Sequence, residues 1–388
     1  MRILHVINSL RGSGGAEQGL VREITHFGEG LEQLVVTLYR PDHLALSVES
    51  AGTRQKSLDL DPSHSGWNWA IAVSRLRRLI REHDPQVVHS SLFSANLVAQ
   101  LATRNSGVPV LSTFTLSGDV SLMRAYQPGA GSRRASMLRR IGGWASRADH
   151  VWFRALTADA LVTTCAALGV LPSRGVVIPR GVPIPDPAER TSRRSDLGLP
   201  DDLPIVLNVG RQSAQKGHEH LVAAFEGVLR TRPAHLVILG REGDGTPALN
   251  AAIANSGLGA HVTVIPYTDR VYDFYAHADV FAFPTLMEGL GTSVLEAMAA
   301  QVPVVAFDIP PVREITDDGR VATLVRVGDR EAFVAGLESA IDGGANVRRL
   351  QAAAYEWVSE EYQLPRIAGM VRDRLEELAT SYRPNRPR

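Results

Sequence analysis

Two carboxylates stand eight positions apart in the segment Glu288-Gly-Leu-Gly-Thr-Ser-Val-Leu-Glu296. A carboxylate on a glycine-flanked turn, as Glu288 is, can accept hydrogen bonds from two neighbouring hydroxyls of a sugar ring. Glu296, about one turn into the helix that follows, can do the same for a ribose diol. Ser293 and Glu296 also have capping-box spacing, in which each satisfies the other's exposed backbone amide, but Glu288 lies outside that pattern. Upstream, Gly210-Arg211 and Lys216-Gly217 flank the start of another helix pattern. Arg211 offers a rigid fork of donors and Lys216 a mobile point charge. Two cations beside a helix amino terminus repel its dipole until an anion joins them, and a diphosphate is such an anion. Lys216 is also one of only two lysines among 41 basic residues, the other being Lys56.

Weaker signals surround this set. Gly12, Gly14 and Gly15 follow the first strand pattern, where glycine lets backbone amides approach a ligand, but the spacing is neither the dinucleotide fingerprint nor a Walker loop. A plain tight turn, with Glu17 complementing the next helix dipole, is the other reading. Gly240 to Gly245 and Pro266-Tyr267-Thr268 each follow a strand, and Tyr267 could wall a base pocket. His89, after VVHSS begins, reads as either a cleft group or a satisfied structural histidine. Cys165 is the only cysteine, which excludes an intramolecular disulfide and a multi-cysteine metal site and leaves a packing role.

These residues need elements to hold them. Short apolar strands alternate with helices whose apolar residues recur every three or four positions, the pattern of a mostly parallel sheet covered on both faces. Strands are expected at 3–7, 33–39, 86–90, 108–114, 150–153 and 175–179. After the proline-rich stretch 180–204 the pattern restarts at 205–210, 235–240, 261–266, 279–284, 302–307 and 321–325. The stretch 40–65 breaks the rhythm and admits irregular strands. Two doubly wound domains facing across a cleft follow, with boundaries at 1–185 and 186–360 and a closing helix and frayed tail at 361–388.

Composition narrows the class. A chain of 388 residues exceeds one ordinary core, and its 44% apolar content is that of globular protein. Acidic and basic residues balance at 41 each, so no global field favours nucleic acid. The amino end reads as a first strand rather than a signal peptide, and no run suffices to span a bilayer. The expected compartment is the cytoplasm. One segment, 132–147, sets five arginines beside Met137, Leu138, Ile141 and Trp144 at helical spacing, a face suited to anionic lipid or to solvent.

With these motifs in place, the chain resembles the retaining, nucleotide-sugar-dependent glycosyltransferases of the GT-B fold, family 4. The resemblance is carried by Glu288 to Ala299, Gln301-Val-Pro-Val-Val, Gly210-Arg211, Lys216-Gly217, Gly14-Gly15-Ala16-Glu17, Val177-Ile-Pro-Arg-Gly181-Val and Ala278-Asp279-Val280, in order. It implies that Arg211 and Lys216 hold the donor diphosphate and neutralise the leaving group. Glu288 would contact the transferred sugar and Glu296 the ribose, with Gly210, Tyr267, Gly289, Leu290, Gly291 and Thr292 completing the donor site. Gly14 and Gly15 would close near the phosphates. It implies no metal and no cofactor beyond the nucleoside diphosphate sugar, because cations and helix dipoles do that charge work. The acceptor, whether small molecule, glycan or lipid-linked, stays open.

One position departs from the family. Where a histidine is usual, this chain reads Ser112-Thr113-Phe114-Thr115-Leu116, so Thr115 offers a hydrogen bond but no charge. Thr115, His89 and Asp119 are the candidate sugar or acceptor contacts. The departure leaves two alternatives beside transfer: a nucleotide-sugar epimerase or phosphorylase on the same scaffold, and a catalytically silent nucleotide-sugar binder.

Overall fold

The computed structural model describes residues 1–10, 14–40, 44, 48, 52–61, 67–116, 132–186 and 192–382. Of these, the residues up to Gly181 and those from Leu364 onward form one compact unit, and Val182–Gln363 form the other.

The first unit is a seven-stranded sheet. Its strands are β1 (Arg2–Ile7), β2 (Glu32–Thr37), β3 (Arg54–Ser57), β4 (Val87–Ser91), β5 (Val110–Phe114), β6 (Val151–Ala155) and β7 (Gly175–Val177). They run parallel in the order β3-β2-β1-β4-β5-β6-β7. The period-2 alternation of β1 shows how both faces are buried. Ile3 and Ile7 pack with Leu20 and Ile24 of the helix Gly15–Thr25 and with Ile367, Val371 and Leu375 of the helix Leu364–Ser381. Leu4 and Val6 pack on the opposite face with Leu76 and Ile80 of the helix Trp67–His83 and Val98 of the helix Phe93–Ala102. Ile367, Val371 and Leu375 recur at helical spacing and each contributes roughly 1.5–3 kcal/mol by burial, which fastens the last helix to the first sheet. β3 is the strand that apolar patterning did not locate within 40–65; it is an edge strand of Arg-Gln-Lys-Ser, held by pairing with β2.

The second unit holds β8 (Ile205–Val209), β9 (His235–Leu239), β10 (Val262–Ile265), β11 (Val280–Phe283), β12 (Val304–Phe307) and β13 (Thr323–Val325). All are parallel, in the order β10-β9-β8-β11-β12-β13. Val206, Leu236, Ile238, Val280 and Val305 meet Leu221, Phe225 and Val228 of the helix His218–Leu229 and Phe333 and Leu337 of the helix Arg330–Asp342 in one core. The strand order reverses between β8 and β11, so the chain leaves these neighbours in opposite directions. The crevice beyond their carboxyl ends is where open parallel sheets take ligands.

Candidate functional site

The loops after β8 and β11 meet at that reversal. Gly210 and Arg211 end β8, and a tight turn over Ala214–Lys216 leads to Gly217 and the helix His218–Leu229. Gly217 has φ +66°, and a Cβ there would stand 2.0 Å from the carbonyl oxygen of Pro284, so glycine alone lets this helix start against the end of β11. The approach is stitched by Leu286 N–H, which donates to the Gln215 carbonyl at 2.8 Å. Thr285, fully buried, reaches the same carbonyl at 3.2 Å and the Glu288 carboxylate at 3.4 Å.

Lys216 and Glu288, 72 positions apart in sequence, form an ion pair through Nζ and Oε1, with side chains 17% and 10% exposed. Lys216 Nζ also lies 5.5 Å from the centroid of the Phe283 ring. Arg211 is half-exposed on the rim, and its Nη2 approaches Asp244 Oδ1 only to 3.8 Å. The two cations therefore differ: Lys216 is sheltered and paired, Arg211 is open. His218 begins the helix beside Lys216; burial first and the lysine charge second push its pKa down to about 4, so the imidazole is neutral at pH 7. Gly240, at φ +153°, faces the Gly210 carbonyl at a distance a Cβ would close to 1.9 Å, which brings the loop after β9 onto the loop after β8.

The segment 288–296 departs from capping-box expectation. The helix Thr292–Ala299 is capped by Gly291 in the left-handed region at φ +93°, with no side-chain cap. Ser293 falls inside the first turn, and its carbonyl accepts from the Tyr275 hydroxyl at 3.1 Å. The left-handed glycine takes the cap position one residue before any hydroxyl could. Leu290 is buried, as are Glu288 at 8% and Glu296 at 7% exposure. Gly289, Gly291 and Thr292 join the two carboxylates through one turn at the carboxyl end of β11. Tyr267 stands half-exposed after β10, the edge strand.

In the first unit, Gly14 is the N-cap of the helix Gly15–Thr25 and Gly15 its first residue. Glu17 in that first turn is buried and accepts from the Ser9 hydroxyl at 2.6 Å. His89 is corrected from a candidate ligand to a core residue. It is 1% exposed, with Nδ1 3.2 Å from His5 Nδ1 and Nε2 3.0 Å from Thr113 Oγ1, so both ring nitrogens are occupied. His5 and His89 share a register position on adjacent strands, and each is the polar partner that burial demands of the other. Thr115 lies half-buried just beyond β5, at the carboxyl end of the sheet; Asp119 lies outside the described residues. Cys165 is buried, and burial raises its thiol pKa, consistent with packing.

Among the described residues no cluster of three or more His, Cys, Asp or Glu could hold a metal ion, and no helix is long and apolar enough to cross a membrane. Two residues escaped the sequence reading: Thr285, which positions the Glu288 turn, and Asp244, which faces Arg211. Asp244 sits among Gly240, Gly243 and Gly245, so the glycine spacing was a usable signal; Thr285 carried none.

A paired lysine and glutamate thus stand at the switch point of one parallel sheet, and the chain holds a second parallel sheet. Residues 189–357 match the family described as "Glycosyl transferases group 1", and residues 18–181 match the "Glycosyl transferase 4-like domain". The alpha-maltose-1-phosphate synthase of Mycolicibacterium smegmatis is 30% identical over 73% of this chain and 76% of that protein. The D-inositol 3-phosphate glycosyltransferase of Rhodococcus erythropolis is 29% identical over 74% of this chain and 67% of that protein. This chain spans 63 to 68% of the length of the D-inositol 3-phosphate glycosyltransferases it matches. The structure of Anabaena Alr3699/HepE in complex with UDP-glucose superposes with a TM-score of 0.82 at 17% identity, over 97% of this chain and 100% of that one. Sucrose-phosphate synthase from Thermosynechococcus elongatus gives 0.81 at 18%, over 98% and 100%. At that identity the structural likeness shows the GT-B fold. The chain belongs to the group 1 glycosyltransferases, family 4.

Proposed function

We propose that this glycosyltransferase moves a sugar from a nucleoside diphosphate sugar to an acceptor hydroxyl with retained anomeric configuration and without a metal ion. The observation that carries the reading is the Lys216–Glu288 pair at the β8/β11 reversal, with Arg211 open beside it. Lys216 and Arg211 present two cations at the amino end of the helix His218–Leu229, where a diphosphate completes the charge balance. As the glycosidic bond breaks, charge gathers on the leaving phosphate, and cations already fixed there stabilise it without reorganisation. Glu288, its carboxylate held by Lys216 and Thr285, is oriented to accept from sugar hydroxyls, and Glu296 from a ribose diol. Retention follows when the acceptor attacks from the face the nucleotide leaves and a diphosphate oxygen takes its proton.

HepE binds UDP-glucose, and one relative's name specifies GDP-mannose, so UDP- and GDP-sugars head the donor panel. D-inositol 3-phosphate, for which one relative is named, heads the acceptor panel. Donor binding is read by thermal shift, because a ligand of the native state raises its stability. Lys216→Ala should abolish transfer by the matched donor while the variant stays folded; undiminished transfer by it refutes the assignment. Thr115 at the family's histidine position favours one second reading, a silent binder, which donor binding without product across the acceptor panel would establish. We place the protein in the cytoplasm, with the helix Arg133–Ser146 as its surface toward anionic lipid.

A further inference from the structure

One cation of the second unit stands beside a carboxylate that does not bind it. No hydrogen bond among the described residues engages the Arg211 guanidinium, and Asp244 Oδ1 stops 3.8 Å from its Nη2, with side chains 45% and 29% exposed. Lys216 is different, because Glu288 holds it in direct contact. Past about 3.5 Å a hydrogen bond is lost, whereas Coulomb energy falls only with the inverse of distance. Asp244 therefore leaves the Arg211 fork free to take a phosphate and still sets a negative charge beside whatever the fork takes.

The place of Asp244 is fixed by its neighbours. A Cβ on Gly243 would stand 2.6 Å from the Gln212 carbonyl oxygen, and one on Gly245 2.7 Å from the Ser213 carbonyl carbon. The two glycines thus bring the loop after β9 onto the residues that follow Arg211. Gln212, 1% exposed, ties the two loops together: its N–H donates to the Arg241 carbonyl and its carbonyl accepts from Gly245 N–H, both at 3.0 Å. Its side chain donates to the Gly240 carbonyl and accepts from the Thr246 hydroxyl, both at 2.9 Å. A ligand anion arriving at Arg211 meets a carboxylate on a loop anchored at both ends. Asp244 also complements the dipole of the helix Thr246–Ser256, which has no side-chain cap. That role explains a carboxylate ahead of the helix, but not its place beside an arginine.

A fixed negative charge weakens the binding of every anion and weakens the more highly charged one most. The diphosphate of a nucleotide sugar is esterified at both ends and carries about two negative charges. The nucleoside diphosphate left after transfer has a free terminal phosphate, whose second ionisation near pH 6 adds about one more. We propose that Asp244 is a further specificity-determining residue of the transfer site, a counter-charge that favours the nucleotide-sugar donor over the nucleoside diphosphate product and regains Arg211 as the product leaves. This rests on the nucleoside diphosphate sugar reading of Arg211 and Lys216. One extra charge about 7 Å from a carboxylate, at an effective dielectric between about 20 and 80, changes affinity by roughly threefold to sixtyfold, and the expected preference is about tenfold.

Calorimetric titration of the full chain with a donor and its matching diphosphate, UDP-glucose with UDP and GDP-mannose with GDP first, measures the preference. In Asp244→Asn the product should bind about tenfold more tightly relative to the donor than it does in the parent, and the product-inhibition constant should fall with it. Asp244→Glu keeps the charge and should keep the parent ratio. At about pH 5 the terminal phosphate of the product loses its extra charge, so parent and Asp244→Asn should converge on one ratio. An unchanged ratio in Asp244→Asn near neutral pH, or a changed one that persists at pH 5, overturns the proposal. A loss of stability with the ratio intact also overturns it and assigns Asp244 to the helix dipole alone. Failure of the underlying reading looks different, since the parent chain would then bind no nucleotide sugar and no nucleoside diphosphate.

Discussion

Glu288→Gln separates the two jobs assigned to one carboxylate. The substitution keeps the side chain's shape and removes the charge that neutralises Lys216. At an effective dielectric of 20 and a charge separation near 4 Å, such a pair attracts by about 4 kcal/mol. Breaking a buried pair by removing one partner costs about 3–5 kcal/mol, because the other charge is left without compensation. With the two side chains 17% and 10% exposed, water relieves part of this, and the expected loss is about 3 kcal/mol by urea unfolding. A nucleoside diphosphate should then reverse the effect, since its phosphates replace Glu288 as the partner of Lys216. If a third of the pair's attraction is competed away in the native protein, the variant binds that diphosphate about tenfold more tightly. Turnover should nonetheless fall, because the amide is a weaker acceptor for the donor's hydroxyls. A variant as stable as the parent, with unchanged diphosphate affinity, would refute the claim that Glu288 holds Lys216 in check. The double substitution with Lys216→Met should recover most of the lost stability, which isolates the coupling between them.

Other outcomes follow from neighbouring features. Gly217→Ala forces a left-handed backbone and a contact of 2.0 Å on the Pro284 carbonyl; it should destabilise the protein by at least about 2 kcal/mol and abolish diphosphate binding, read by thermal shift. His5 and His218 each titrate near pH 4 when folded against 6.5 as the reference. The unfolded chain binds more protons between those values, so stability is complete above pH 6.5 and falls toward pH 4, by about 1.4 kcal/mol per pH unit for each histidine. His218→Gln should flatten the urea-unfolding profile over that window. Met137, Ile141 and Trp144 are exposed at 56%, 37% and 50% on the arginine-bearing helix. Trp144→Ser should reduce salt-sensitive co-sedimentation with anionic vesicles, and no binding by the parent chain removes the lipid surface from consideration.

Strands rich in apolar residues announce themselves as continuous runs, which is why twelve of them could be placed by pattern and why each of those twelve sits within its expected run or a residue or two from it. β3 could not, because an edge strand of Arg-Gln-Lys-Ser depends on backbone pairing and not on burial. The residue types of the site were legible: a rare lysine, an arginine by a helix start and an unexplained glutamate. Their meeting was not. Lys216 and Glu288 are joined by the reversal of strand order between β8 and β11, a property of the whole sheet. Ser293 misled because hydroxyl-to-glutamate spacing ignores a glycine free to adopt positive φ two residues earlier. His89 was half-legible: a histidine inside an apolar strand must find a polar partner, and His5 occupied the matching place on β1.

The last helix has a consequence for the order of synthesis. Residues 182–363 form a continuous stretch, so the second unit has all of its chain before the terminus leaves the ribosome. The first unit does not, because Ile367, Val371 and Leu375 fill one face of its sheet. Until they arrive, Ile3, Ile7, Val35 and Val87 have an apolar face only partly covered, by Leu20 and Ile24, and the usual sequence in which the amino-terminal domain matures first is inverted. A chain released after truncation before Leu364 should expose that face to chaperones while its second unit is complete.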